Sequence, residues 1–134
     1  MELSQKIKII ERKRFVDDRG WFLKSLTGLE ENLPEKTGEF YLTSGIPGKS
    51  KGAHYHRLAR EWFTLVTGEC WLRLRDMESE EEFEFLLSAK LPQTIFIPPL
   101  VAHVFENRGD NEFILAAYSS HIYDPSDTIN FNFL

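Results

Sequence analysis

Four side chains able to take up protons or bind metals cluster in two short stretches. His54, His56 and Glu61 lie in "GKSKGAHYHRLAREWFTLVTG" (48–68), and His103 lies in "IPPLVAHVFEN" (97–107). Residues i and i+2 of a strand share a face. His54 and His56 therefore stand side by side, with Tyr55 opposite. Glu61 follows a turn through "RLAR" (57–60) and opens the next strand. Antiparallel pairing of that strand would return its carboxylate to the two imidazoles. His103 follows a proline-rich turn and starts a strand, which can reach the site from another part of the sheet. Three imidazoles and a carboxylate suit Zn, Fe, Mn, Co or Ni with positions left open for a ligand. The same groups without a metal suit proton transfer, since imidazole titrates near neutrality and a carboxylate can orient it. Each residue alone reads as an ordinary surface or core side chain, and only the combination points to chemistry.

The elements that must position these groups read as strands. "WFLKSL" (21–26), "EFYLTS" (39–44), "EWFTLVTG" (61–68), "ECWLRLR" (69–75), "EFEFLLS" (82–88), "TIFIPP" (94–99) and "NEFILAAYSS" (111–120) are aromatic, β-branched or alternating. In "ECWLRLR", Cys70, Leu72 and Leu74 face one way, and Trp71, Arg73 and Arg75 the other. The acidic run Glu78 to Glu84 reads as a hairpin tip leading into the next strand, and 26–36 holds at most one helical turn before Pro34. Many short strands separated by turns predict an all-β sandwich or small barrel, a shape that can enclose a small-ligand pocket.

Composition narrows the classes. The 134 residues fit a single domain, 1–134, and 42% are hydrophobic, enough for a core. A net charge of −5 disfavours a nucleic-acid partner. The lone Cys70 fits a reducing compartment, "MELSQKIKIIERKRF" lacks a signal-peptide core, and no apolar run approaches the ~20 residues of a membrane span. The expectation is a cytoplasmic protein without a membrane partner.

The spacing Gly48-x5-His54-x-His56-x4-Glu61-x6-Gly68 resembles the first cupin motif at every fixed position. Pro98-x-Leu100-x2-His103-x3-Asn107 resembles the second, with Pro92 and Leu100 where that motif has glycine. The resemblance implies a cupin jelly roll of two antiparallel sheets. It places His54, His56, Glu61 and His103 at the family's metal-ligand positions and gives Asn107 a structural role. Further stretches resemble deoxysugar-nucleotide (dTDP-4-dehydrorhamnose) 3,5-epimerases: "FVDDRGWFLKSL" (15–26), "KGAHYH" (51–56), "FIPPLVAHVFEN" (96–107) and "SSHIYDPSD" (119–127). "GAHYHRLAREWF" with "NRGD" is similar to the zinc-bearing cupin domain of capsular-polysaccharide epimerase/reductases, and "KGAHYH" also to the metal-free nucleotide-sugar 3,4-ketoisomerases.

These resemblances imply an isomerase that removes a proton beside the carbonyl of a 4-keto-deoxyhexose nucleotide, in surface-polysaccharide or deoxysugar synthesis. His54 is the implied base, His56 joins it by the ketoisomerase resemblance, and Tyr41 falls near those enzymes' catalytic tyrosine. Arg19, Lys51, Arg73, Arg75 and Trp71 are candidates to hold the nucleotide diphosphate and base. The expected cofactor is a divalent metal, zinc foremost with iron, manganese or nickel as alternatives, and no organic cofactor. A homodimer is expected from the resemblance and from the strand-like "KIKIIERKRF" (6–15), free to join a partner's sheet. The acid tyrosine of the 3,5-epimerases falls on Ala117, with Tyr118 beside it on the opposite face, which puts double epimerisation in doubt. Two other readings stand beside this one: a metal-dependent oxygenase or other metallo-cupin, and a sugar-binding cupin without turnover.

Overall fold

Alternation along the chain decides which side chains enter the core. In the computed structural model, which describes residues 1–36 and 38–134, strand β7 (Glu69–Asp76) turns Cys70, Leu72 and Leu74 inward and keeps Trp71, Arg73 and Arg75 partly exposed. The other strands are β1 (Lys8–Glu11), β2 (Arg14–Asp17), β3 (Gly20–Leu23), β4 (Glu39–Gly45), β5 (Ser50–Tyr55) and β6 (Glu61–Thr67), then β8 (Glu82–Ser88), β9 (Gln93–Ile97), β10 (Val101–Glu106), β11 (Phe113–Ser119) and β12 (Ile129–Asn130). A one-turn helix α1 (Leu3–Lys6) precedes them, and a 3-10 turn (Pro125–Asp127) precedes β12.

Two five-stranded sheets form, in the orders β1-β9-β6-β11-β4 and β12-β5-β10-β7-β8, and every strand pairing is antiparallel. They face each other as the jelly roll expected from the sequence. Phe63, Leu65, Ile95, Ile97, Phe113 and Leu115 of the first sheet meet Leu72, Leu74, Val101 and Phe105 of the second in one buried cluster. Each fully buried side chain of this size is worth roughly 1.5–3 kcal/mol. Among the described residues, no helix is long and apolar enough to cross a membrane.

Three expectations are corrected. Residues 6–15 do not hang free, because β1 pairs with β9 at the edge of the chain's own first sheet. The helical turn lies at the N-terminus, in α1, rather than within 26–36, where only turns and bends occur. There Arg12 binds Glu30, the Ser25 carbonyl and Thr94, tying that segment down over the outer face of the first sheet. Finally, β5 and β6 are consecutive but belong to opposite sheets. Glu61 therefore reaches the histidines across the interior of the sandwich and not along a ladder.

Candidate functional site

Two neighbouring strands bring the histidines together. On β5 and β10, His54 lies directly opposite His103, and the register then slips so that Val104 faces Gly52. Ala53 is the extra residue of this bulge and has φ 63°, a left-handed value that costs a non-glycine residue energy. At Gly52, with φ 99°, an added Cβ would lie 2.9 Å from the His103 carbonyl oxygen, so the strands approach this closely only without a side chain there. The ring centroids of His54 lie 5.0 Å from both His56 and His103.

Glu61 closes the cluster from the other sheet. It is buried, and its Oε1 lies 2.9 Å from His56 Nε2 and 3.3 Å from His103 Nε2. All four residues place a ligand-capable atom within 4.8 Å of one another. Hydrogen bonds fix two of the rings. His56 Nδ1 donates to the Asp127 carbonyl at 2.8 Å, and His103 Nδ1 donates to the Val101 carbonyl at 3.1 Å. A carbonyl only accepts, so each Nδ1 carries a proton, and in the neutral ring each Nε2 turns a lone pair toward Glu61. These Nε2 atoms and Oε1 are buried and, despite their short separations, lack hydrogen-bond geometry to any partner. Three electron pairs thus converge on one point, which is what a divalent cation satisfies. Donors bound at ~2.1 Å sit about 3.0–3.4 Å apart, and the two observed separations are close to that range. The residues present fit such an ion.

The local fields are strong. Burial alone would raise the Glu61 pKa, but the two imidazoles outweigh it and hold the carboxyl well below the usual range. Burial pulls His56 down, and Glu61 more than reverses it, so His56 ends above its ordinary value. His54 is lowered to about 4, first by burial and then by the neighbouring His103 and His56. Tyr41, on β4, donates its hydroxyl to Glu61 Oε2 at 3.2 Å, and burial followed by the charge of Glu61 raises its pKa, keeping it protonated.

A cavity of about 270 Å³ opens onto the cluster, lined inside by Tyr41, His54, His56, Glu61 and the buried Ser119, with the exposed His121, Ile122, Tyr123 and Asp124 around its mouth. That is just under the ~300–1,000 Å³ of drug-sized pockets and suits a sugar ring. Among the described residues no lysine or arginine lines it. A smaller recess of about 130 Å³ shares Tyr41 and His54 and includes His103 and Lys51.

His54, His56, Glu61, His103, Tyr41 and Lys51 therefore line one or both of these adjoining hollows. The remaining candidates do not. Trp71, Arg73 and Arg75 project from the outer face of the second sheet, because the alternation that turns Leu72 and Leu74 inward turns them out. Their charges are already matched, Arg73 by Glu84 and Glu106, and Arg75 by Glu82. Arg19 sits at the tip of the β2–β3 hairpin, paired with Asp17 at 2.7 Å and away from the cavity. Ala117 points into the core directly across from Tyr41 on β4, so a phenol stands one strand over from the missing tyrosine. Tyr118 stacks on Trp62 with its hydroxyl accepting from Gly38 N, on the opposite face. The mouth residues His121, Tyr123 and Asp124, and the buried Asp127, have no spacing motif that singles them out. They lie within "SSHIYDPSD" (119–127), whose resemblance is the only signal there.

Residues 15–131 match the family described as the polysaccharide biosynthesis C-terminal domain. The spore coat polysaccharide biosynthesis protein SpsL of Bacillus subtilis is 25% identical over 124 residues, covering 89% of this chain and 82% of that protein. The capsular polysaccharide assembling protein CapF of Staphylococcus aureus superposes with a TM-score of 0.69 at 27% identity, over 91% of this chain but 33% of that one. The chain thus spans about a third of CapF. The dTDP-6-deoxy-D-glucose-3,5-epimerase RmlC of Legionella pneumophila, solved with dTDP-4-keto-L-rhamnose, superposes with a TM-score of 0.84 over 96% of this chain and 74% of that one. At 21% identity, that likeness is one of fold.

Proposed function

Since the chain belongs to the polysaccharide biosynthesis C-terminal domain family, we propose that it is an isomerase of nucleotide-linked 4-keto-deoxyhexoses, an epimerase or ketoisomerase of surface-polysaccharide or deoxysugar synthesis. The carrying observation is the buried histidine–glutamate cluster, with Tyr41, at the base of a cavity sized for one sugar ring. The sugar enters that cavity, and the diphosphate and nucleoside stay at its mouth.

The three histidines divide the work. His56 and His103 are each held by a backbone carbonyl, whereas among the described residues His54 has no hydrogen-bond partner for its ring. His54 is thus free to act as the base. It takes the proton from the carbon beside the ketone, and the bonding pair moves into the new C=C as the carbonyl oxygen gains charge. Tyr41, kept protonated, offers a donor to that oxygen, and a proton then returns on the other face or at another carbon. His56, Glu61 and His103, with His54 near, would hold a divalent ion, zinc by its nitrogen–oxygen donor set. When bound, it supplies Lewis acidity toward the ketone oxygen. Lys51 lines the smaller recess with His54 and His103 and is assigned to substrate.

Deuterium incorporation tests this reading. Wild-type protein incubated with 4-keto-6-deoxyhexose nucleotides in D2O gains a deuteron next to the carbonyl, and His54→Ala does not. The labelled carbon separates epimerase from ketoisomerase. Absence of uptake by wild type across several such nucleotides rejects the reaction. One observation favours a second reading. Two tethered histidines and a carboxylate also make the donor set of non-haem iron oxygenases, and oxygen consumption by the iron(II)-loaded protein would move the assignment there.

The proposal includes a homodimer. Among the described residues the β2–β3 hairpin pairs only with itself, and it exposes apolar side chains on both faces, Phe15 (54%) with Phe22 (58%) and Val16 (73%) with Trp21 (47%). A two-stranded ribbon is marginal alone in water, which supports a second copy as its cover. Sedimentation velocity at micromolar concentration should give a dimer, and a monomer at all concentrations would remove this part.

A further inference from the structure

Asp127 is buried, yet none of its hydrogen bonds is to a cationic side chain. Its Oδ1 accepts the backbone N–H groups of Arg57 at 2.8 Å and Leu58 at 3.1 Å, and its Oδ2 accepts that of Ala59 at 3.1 Å. Three consecutive amides of the 57–60 turn thus close around one carboxylate, a nest for an anion. The same residue's carbonyl oxygen accepts from His56 Nδ1 at 2.8 Å. One residue from the C-terminal segment therefore holds both the ring of His56 and the turn that leads to Glu61.

We infer that Asp127 is a positioning residue for the cluster, holding the His56 ring by its Nδ1 so that its Nε2 faces Glu61 and the neutral ring is the Nδ1-protonated tautomer. The carboxylate anchors the turn, the anchored turn sets His56 beneath the carbonyl, and the carbonyl selects the tautomer. Without the carboxylate, three amides lose their acceptor and the His56 bond loses its register. The adjoining residues 121–124 form the mouth of the cavity, so the segment that meets a ligand also orients a cluster imidazole.

The test uses the whole chain as Asp127→Ala and Asp127→Asn, with Thr94→Ala as a remote destabilised control. Long-range proton–nitrogen NMR of the metal-free protein, recorded at alkaline pH where the ring is neutral, reads the His56 tautomer. Wild type and Thr94→Ala should show protonated Nδ1, and Asp127→Ala a mixture with protonated Nε2. Cobalt(II) titration followed by visible absorption should show roughly 10–100-fold weaker binding in Asp127→Ala, the scale expected when a residue orienting a ligand is lost. Asp127→Asn should fall between, because its amide keeps one acceptor and sets a donor against Ala59 N–H; it also serves if the alanine variant does not fold. Only the cobalt arm rests on the proposed cation site. If wild type binds no cobalt, that site fails and the tautomer decides the role of Asp127. An unchanged His56 tautomer in the folded variants overturns it, as does cobalt affinity within twofold of wild type where wild type binds.

Discussion

The interior cluster around His103 of β10 and the outer face of β7 carry similar groups, ionisable side chains among aromatic rings, on the two sides of one sheet. They differ in how those groups are satisfied. On the outer face Arg73 lies 5.3 Å from the Phe133 ring and within 3.6 Å of two carboxylates. Arg75 lies 5.3 Å from Phe131, and Arg108 lies 4.7 Å from Trp71 while binding Glu106 at 2.7 Å. Each of these cations has an acidic partner. In the interior, His56 Nε2, His103 Nε2 and Glu61 Oε1 converge with no hydrogen bond of good geometry among them. Unmet electron pairs in a buried place cost folding free energy unless something fills the gap. The difference separates a site from a solvated surface better than residue type does.

The largest effect should come from removing the convergence. Glu61→Gln keeps the size of the side chain but replaces one acceptor with a donor and deletes the charge shared with His56 and His103. Cobalt(II) affinity should fall at least 100-fold, and deuterium uptake from D2O by a similar factor. Binding and uptake within threefold of wild type would mean that the inner face is no more functional than the outer one.

A second buried charge pair tests whether satisfaction, and not burial, marks the difference. The Glu30 side chain is as buried as that of Glu61, 3% against 4% exposed, but it accepts from Thr27 N at 2.9 Å, Gly28 N at 3.0 Å and the Arg12 guanidinium. Burial pushes its pKa up, and these bonds overcome that and bring it down to about 2. A carboxyl lowered in the folded state adds stability above its unfolded pKa of ~4.3, and that stability is lost as pH falls toward 2. Glu30→Gln should cost up to roughly 3 kcal/mol at pH 7. It should also flatten the loss of stability between pH 4.5 and 2 in urea titrations, while deuterium uptake by the folded protein holds. An unchanged acid profile would show that the pair adds nothing.

Much of this was legible locally. The inward set on β7 and the hairpin tip near Glu78 follow from alternation and turn residues, which act over one or two positions. The members of the cluster were marked by motif spacing, although their contacts are not local. The rest depends on contacts between distant parts of the chain. Nothing local says that β5 and β6 join different sheets, that residues 8–11 pair with 93–96, or that Asp127 holds a turn about 70 residues earlier. The alternation did separate Trp71, Arg73 and Arg75 from Leu72 and Leu74. Deciding which face held the site required knowing that His103 pairs with Leu74 across β10 and β7. Leu100, where the second motif has glycine, adopts φ 65°, a left-handed value that favours glycine.

The smallest effect expected is the most informative about the outer face. Arg73→Ala removes one guanidinium from between Glu84, Glu106 and Phe133. Partly exposed ion pairs are worth ~0–1 kcal/mol and a cation over an exposed ring about as little. The variant should lose about 1 kcal/mol or less in urea denaturation and keep deuterium uptake within twofold. The sheet stands between Arg73 and the cavity, because β7 turns Leu72 and Leu74 to the interior that His103 shares. A substrate lodged against His54 reaches Arg73 only by leaving the mouth and folding around the edge of the second sheet. A tenfold loss of uptake at unchanged stability would show that the nucleotide takes that path. The outer ladder would then belong to the site, and its matched charges would be a resting arrangement that substrate displaces.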